Sequence, residues 1–218
     1  MRSSPLTDRT ANPLLQPWDG PLGAPSFAQV RDEDFLPALA VAIDCHKAEI
    51  EAITRQEAPA TFDNTIVELE RSGQTLARVR RWFWMLSSAQ GTPGIRAIEA
   101  EMSARLSSHS VEISHDAALA ARVFAVHSAR HESGLAPDQI RLVESSHAGF
   151  LRGGAALAPA EKARFAAIDA RLSILAVQFG QNVLAATAAW VLDLGADDLA
   201  DYLQPCARRL RLERQRRA

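Results

Sequence analysis

Lysine is almost missing from this chain: of 24 basic residues only Lys47 and Lys162 are lysine, and the rest are arginine. Cysteine is equally scarce. Cys45 and Cys206 make neither a disulfide framework nor a zinc ribbon, and they suit a reducing compartment. The opening Met1-Arg2-Ser3-Ser4-Pro5 leads into polar, proline-rich sequence without an apolar h-region, so no secretory signal is read. No run is read as approaching the roughly 20 apolar residues that a membrane span needs. A cytoplasmic protein without a membrane partner is expected. Strand alternation is also lacking. Val111-Glu112-Ile113 is too short to count, and Trp190 to Leu194 is the other β-like run. No G-x-S-x-G, Walker, dinucleotide-binding or C-x-x-C pattern occurs, which excludes the chemistries those patterns serve.

What is present is an ordinary globular composition, 218 residues with 47% hydrophobic and 23% charged, ample for one sizeable core or two small ones. A net charge of -2 argues against a polyanionic partner, so no nucleic acid is expected. The charge is unevenly spread. Arg208 to Ala218 hold six Arg and one Glu, a local +5, which leaves -7 on the remainder. Pro205 sets this tail apart and no aromatics are interleaved in it, so 201–218 is expected to be disordered.

Proline divides the rest. Pro5, Pro13, Pro17, Pro21 and Pro25 break up residues 1–30, because each removes a donor and restricts its predecessor. An extended arm is expected there, anchored by Leu14, Leu15, Trp18 and Phe27. Helical periodicity takes over from Asp32 and defines a domain over 31–200. Phe35, Leu39, Ile43, His46, Ile50 and Ile53 share one face. After Pro59, the cap-forming Thr61-Phe62-Asp63-Asn64 opens a second helix with Ile66, Leu69, Leu76, Val79, Phe83 and Leu86, Gly73 being tolerated inside it. Gly91-Thr92-Pro93-Gly94 breaks the chain before a third helix with Ile95, Ile98, Met102 and Leu106. A fourth follows from Asp116, a fifth over Ile140 to Leu151, and a sixth after Pro159. The sixth carries Phe165, Ile168, Leu172, Leu175, Phe179 and Val183 on one stripe and Ile174, Val177 and Leu184 on another. A helix apolar on two sides is expected to be buried between neighbours. The fold class is all-α, an antiparallel array of about six helices.

Two constellations could carry function. His127 and His131 stand at i, i+4, the spacing by which one helix face presents two zinc ligands. Ser128 occupies the place of the Glu that an H-E-x-x-H base requires, and Leu135 stands where a second His would follow His131-Glu132. The plainer reading is a polar helix C-terminus, where His also suits the dipole. His46, on an apolar stripe, reads as a hydrogen-bonded core or partly exposed histidine. His109, His115 and His147 have no identifiable partners. Trp82-Phe83-Trp84 points around much of a helix circumference, which suggests a contact surface for another domain or a ligand, against a wide core with one half-exposed Trp.

Asn12-Pro13-Leu14-Leu15 and Gly23-Ala24-Pro25-Ser26-Phe27 resemble the opening of the bacterial thimet-oligopeptidase-like zinc metallopeptidases, of peptidyl-dipeptidase and oligopeptidase type. The stretch from Pro59 through Thr61-Phe62-Asp63-Asn64-Thr65-Ile66 to Leu69-Glu70-Arg71-Ser72-Gly73 is the most specific part of this resemblance. Gly134-Leu135, Ile140 to Glu144 and Gln178 to Ala185 extend it, so it runs from about Asn12 to Leu199. It implies the N-terminal helical region that forms one wall of a deep channel admitting short, unfolded peptides. Zinc and its H-E-x-x-H helix belong to the C-terminal half of such enzymes, and no such motif occurs here. No catalytic or metal residue is therefore carried over, and the chain alone is expected to be inactive and without cofactor. Trp82, Phe83, Trp84 and the last helix would face the missing half, or a second copy. The resemblance fades at Asp201-Tyr202, as a truncation or a shifted reading frame would cause. The alternative is a stand-alone, non-catalytic helical binding or regulatory module.

Overall fold

The computed structural model describes residues 12–16, 18, 20, 27–89 and 91–191. The tail 201–218, most of the arm, and Leu192 to Leu194 of the β-like run lie outside the described residues. So does the side chain of Phe27. The chain divides into two units, Met1–Val177 and Gln178–Ala218.

The all-α expectation is met, and no strand occurs among the described residues. In the first unit a 3-10 turn, Asp32–Asp34, leads into α1, Phe35–Thr54. A wide π turn, Phe62–Val67, runs into the short α2, Glu68–Arg71. Then follow α3 (Gln74–Ala89), α4 (Pro93–His115), α5 (Ala117–Ala129) and α6 (Pro137–Arg152). The last helix, α7, spans Pro159–Ala189.

Several starts have a local cause. Thr92 accepts a hydrogen bond from the Ile95 amide with Pro93 next in line, and Asp116 accepts one from the Leu119 amide. Thr61 and Asn64 cap each other reciprocally, each side chain accepting from the other's backbone amide at 3.2 and 2.8 Å. Gly94 is demanded by packing, because a Cβ there would collide with the Asp32 carboxylate that accepts from the Thr92 hydroxyl.

Gly73 behaves differently from the sequence expectation. It does not sit inside one helix. Its φ of +69° ends α2, and α3 begins at the next residue. The left-handed conformation suits glycine. His46 fills the space where a Cβ would stand, at 3.2 Å, and the Glu49 carboxylate accepts from the Gly73 amide at 2.6 Å.

Three apolar clusters hold the first unit together. The largest joins Leu14, Phe35, Leu39, Val79, Trp82, Phe83, Ile95 and Met102. A second contains Ile66, Val123, Val126 and Val143, and a third contains Ile50, Ile53 and Leu119. The arm's expected anchors are seen in part. Leu14 is buried, Leu15 packs against the same core, and the Trp18 ring lies 5.9 Å from that of Trp82. Asn12 donates to the Asp34 carbonyl, and Arg78 donates to that of Leu15.

α7 corrects two expectations. None of its residues is buried, so it is not sandwiched between neighbours: Leu172 is 58% exposed and Phe179 71%. The cause lies in the clusters just described, which close among α1 to α6 and the arm. Within its first half Ser107 donates to Asp169, Lys162 donates to the His115 carbonyl, and Phe165 meets the His115 ring at 5.5 Å. The described part of the second unit, 178–191, is exposed throughout. By length and composition alone α7 could also cross a membrane, contrary to the reading that no such run exists. Its 31 residues span about 46 Å, and no charge occurs from Ser173 to Trp190. The amides of Gln178, Gln181 and Asn182 interrupt that stretch, so no continuous apolar run of that length stands in the sequence.

Candidate functional site

A polar cluster of the first unit is built where α1, the α2–α3 break and α4 meet. His46 on α1 and His109 on α4 are 63 positions apart, yet Nδ1 of the first lies 2.9 Å from Nε2 of the second. His46 Nε2 lies 3.2 Å from the Ser72 hydroxyl, which itself donates to the Leu69 carbonyl at 2.7 Å. The serine proton is thus directed at Leu69, so His46 Nε2–H donates to Ser72. His46 Nδ1 is then the acceptor of His109 Nε2–H. This leaves His109 Nδ1 as a bare lone pair, buried without a partner. The opposite tautomers would bury an orphaned N–H there, the costlier choice. Burial is the main cause that holds both imidazoles below the ordinary histidine range. Glu49 opposes the shift at His46, and the His46 and Lys47 charges reinforce it at His109.

Ser72 in this arrangement is not a nucleophile, because its proton is committed to a backbone carbonyl and no base accepts it. Two open grooves flank the cluster. One, of about 270 Å³, is lined by Glu49, Gln56, Glu68, Arg71 and Ser72. The other, of about 540 Å³, runs along α1 and the end of α4 and carries Asp44, Lys47, Glu51, Arg55, Glu112 and Asp116. Its cations are matched within the groove, Lys47 to Glu112 at 2.6 Å and Arg55 to Glu51 at 2.5 Å.

The most family-specific stretch turns out to be a structural hub. Asn64 Oδ1 accepts from the Thr61 amide, the Thr65 hydroxyl and Arg122 Nη2, while Asn64 Nδ2 donates to the Pro59 carbonyl. Arg122, reaching over from α5, also donates to the carbonyls of Gln56 and Ala58. One guanidinium thereby ties the 56–64 loop to α5, a geometry the planar fork suits.

α5 ends at Ala129, so His131 lies in the exposed turn beyond it and shares no helix face with His127. His127 instead stacks on His147 of α6, with ring centroids 3.8 Å apart and planes 7° from parallel. In-plane lone pairs of two stacked rings run side by side and cannot converge on one ion at about 2.0–2.1 Å. Burial, with the His147 and Arg130 charges next, holds His127 below the ordinary range. Among the described residues no three His, Cys, Asp or Glu side chains gather as a metal ion would need, so the donors here do not fit the zinc of the resembling family. Trp82 and Phe83 are core, at 3% and 0% exposure, and Trp84 is half-buried against the same cluster. The helix turns two of the three rings inward, and the longest run of large exposed apolar side chains lies on α7, from Ile168 to Leu184.

Sequence reasoning missed the partnership of His46 with His109. Its signal was present, since Ile95, Met102 and His109 recur every seven residues and are the buried face of α4. Arg122 offered no signal, for its acceptors lie on a distant loop.

No family model matches the chain. It is 36% identical over 180 residues to the dipeptidyl carboxypeptidase of Salmonella typhimurium, which covers 83% of this chain and 26% of that protein. The dipeptidyl carboxypeptidase of Escherichia coli is 36% identical over 177 residues, covering 81% and 26%. Oligopeptidase A of Escherichia coli is 27% identical over 179 residues, covering 82% and 26%. The chain spans about a quarter of the length of the curated relatives it matches. Similarity to both peptidase types over some four-fifths of its residues makes this chain a homologue of part of the thimet-oligopeptidase-like proteins.

Proposed function

We propose that this helical body is the non-catalytic channel wall of a cytoplasmic peptidase of the dipeptidyl carboxypeptidase and oligopeptidase type. Its role is to exclude folded proteins and to orient short peptides, while zinc and the general base are supplied by sequence outside the matched quarter. The observation that carries this reading is the similarity to such peptidases across a chain whose described residues gather no metal-binding set. The exposed stripe of α7 supports it as a protein-facing surface, since its mid-helix amides suit a protein neighbour better than lipid. A complementary catalytic part or a second copy would cover that stripe.

The test is hydrolysis of a short blocked peptide by the chain alone, with and without added zinc. No turnover is expected in either case. Turnover that a chelator abolishes would overturn the non-catalytic assignment.

A further inference from the structure

We propose that the His46–His109 pair is a proton-operated latch, which holds the α2–α3 break and α4 against α1 while both rings are neutral and lets go when either is protonated. Two imidazole nitrogens 2.9 Å apart can share one proton. If His46 is protonated, either two N–H groups face each other across that distance, or His109 moves its proton to Nδ1, where it meets no acceptor. If His109 is protonated, a new N–H appears at Nδ1, in a place with no acceptor. Either event costs the folded state, because a buried charge or an orphaned buried donor is destabilising.

The latch has a mechanical reach beyond the two rings. His46 touches Ser72 and packs where a Gly73 side chain would be, so its ring is the wedge that fixes the helix break. Glu49 holds the same break through the Gly73 amide. The charged groups facing the pair are Glu49 and Lys47 on α1 and Glu112 on α4, and the Glu68–Arg71 ion pair of α2 lines the groove beside Ser72. Lys47 and Glu112 neutralise each other, so Glu49 is the carboxylate available to ease a positive His46. It is engaged with the Gly73 amide, and moving toward the ring would loosen the break it secures. The folded state binds fewer protons than the unfolded chain once pH drops below the ordinary histidine range. Latch stability is therefore complete above that range and is lost as pH falls beneath it.

The experiment uses the full chain with isotope-labelled histidine rings, followed by NMR from pH 8 to 5. Hydrogen exchange is read in parallel and corrected for the intrinsic rate. His46 and His109 should titrate below the ordinary histidine range. From pH 6.5 to 5.5, protection at Gly73 and along α4 should fall by up to about fivefold for each histidine held neutral, with α5 and α6 little changed. A His46→Gln/His109→Gln variant keeps a donor and an acceptor at each position but cannot titrate, and it should lose this selective fall. Titration of both rings at or above the ordinary value, or a fall spread evenly over all helices, would overturn the latch. These two wild-type readouts decide the matter even where the variant does not fold.

Discussion

The helices α1 to α6 and the helix α7 are both rich in apolar residues, yet they use them in opposite ways. α1 buries Phe35, Ala38, Leu39, Ala42, Ile50 and Ile53, whereas α7, half as long again, buries nothing. Periodicity does not separate them, for both repeat apolar residues at three and four. Supply of partners does. The faces of α1, α3 and α4 meet one another around Phe83 and Met102, and no comparable layer lies over Leu172 among the described residues. An amphipathic pattern states that a helix needs a partner, and says nothing of which chain segment provides it.

The largest effect that would sharpen this contrast comes from truncating one residue of each kind. Phe83→Ala should cost about 3–5 kcal/mol of unfolding free energy in urea, because it leaves a cavity at a fully buried ring. Leu172→Ala should change it by no more than about 0.5 kcal/mol. Comparable losses at the two sites would mean that α7 is packed in solution.

Next in size is the hub. Asn64→Ala takes the shared acceptor from Arg122 Nη2, the Thr61 amide and the Thr65 hydroxyl, for an expected loss of about 1–3 kcal/mol. Thermal melts of Asn64→Ala, Arg122→Ala and the double variant should show strong non-additivity, and additive losses would show that the two side chains act separately.

A third prediction concerns association rather than stability. The wild-type chain should bind an apolar dye or form oligomers in light scattering, and Leu172→Glu/Phe179→Glu should abolish both without shifting the melting temperature. A wild type that is monomeric and dye-silent would favour the stand-alone module over the channel wall. The smallest effect is expected at the α5–α6 stack. Replacing His147 with Gln removes a like charge beside His127 and should raise the His127 titration toward its ordinary value, short of reaching it because burial remains. An unmoved titration by NMR would place the cause in burial and the Arg130 charge instead.

Much of the body was legible before any coordinates. The stripe from Phe35 to Ile53, the break at Gly91-Thr92-Pro93-Gly94 and the start at Pro159 all appear where the residues put them. Gly73 was misjudged, since glycine inside a periodic stretch carries the same stripe whether the helix continues or turns. Its left-handed φ is set by His46 and Glu49, which come from another helix. The candidate site was less legible. His46 could be read as a polar residue on a core face, but its partner depends on how α1 and α4 are brought together. His127 and His131 looked like a pair because i, i+4 spacing presumes a continuous helix, and α5 stops between them.

The sequence by itself determined the fold class, the caps and breaks that set most helix ends, and the kinship with peptidases, because these rest on local preferences and residue identity. Tertiary structure alone decided which apolar faces found a partner. It turned Trp82 and Phe83 into core and left α7 bare, joined His46 to His109, and made Asn64 and Arg122 a hub. The physical reason is the same in each case. Burial and hydrogen bonding belong to pairs of groups, and a sequence lists the members of those pairs without saying which of them meet.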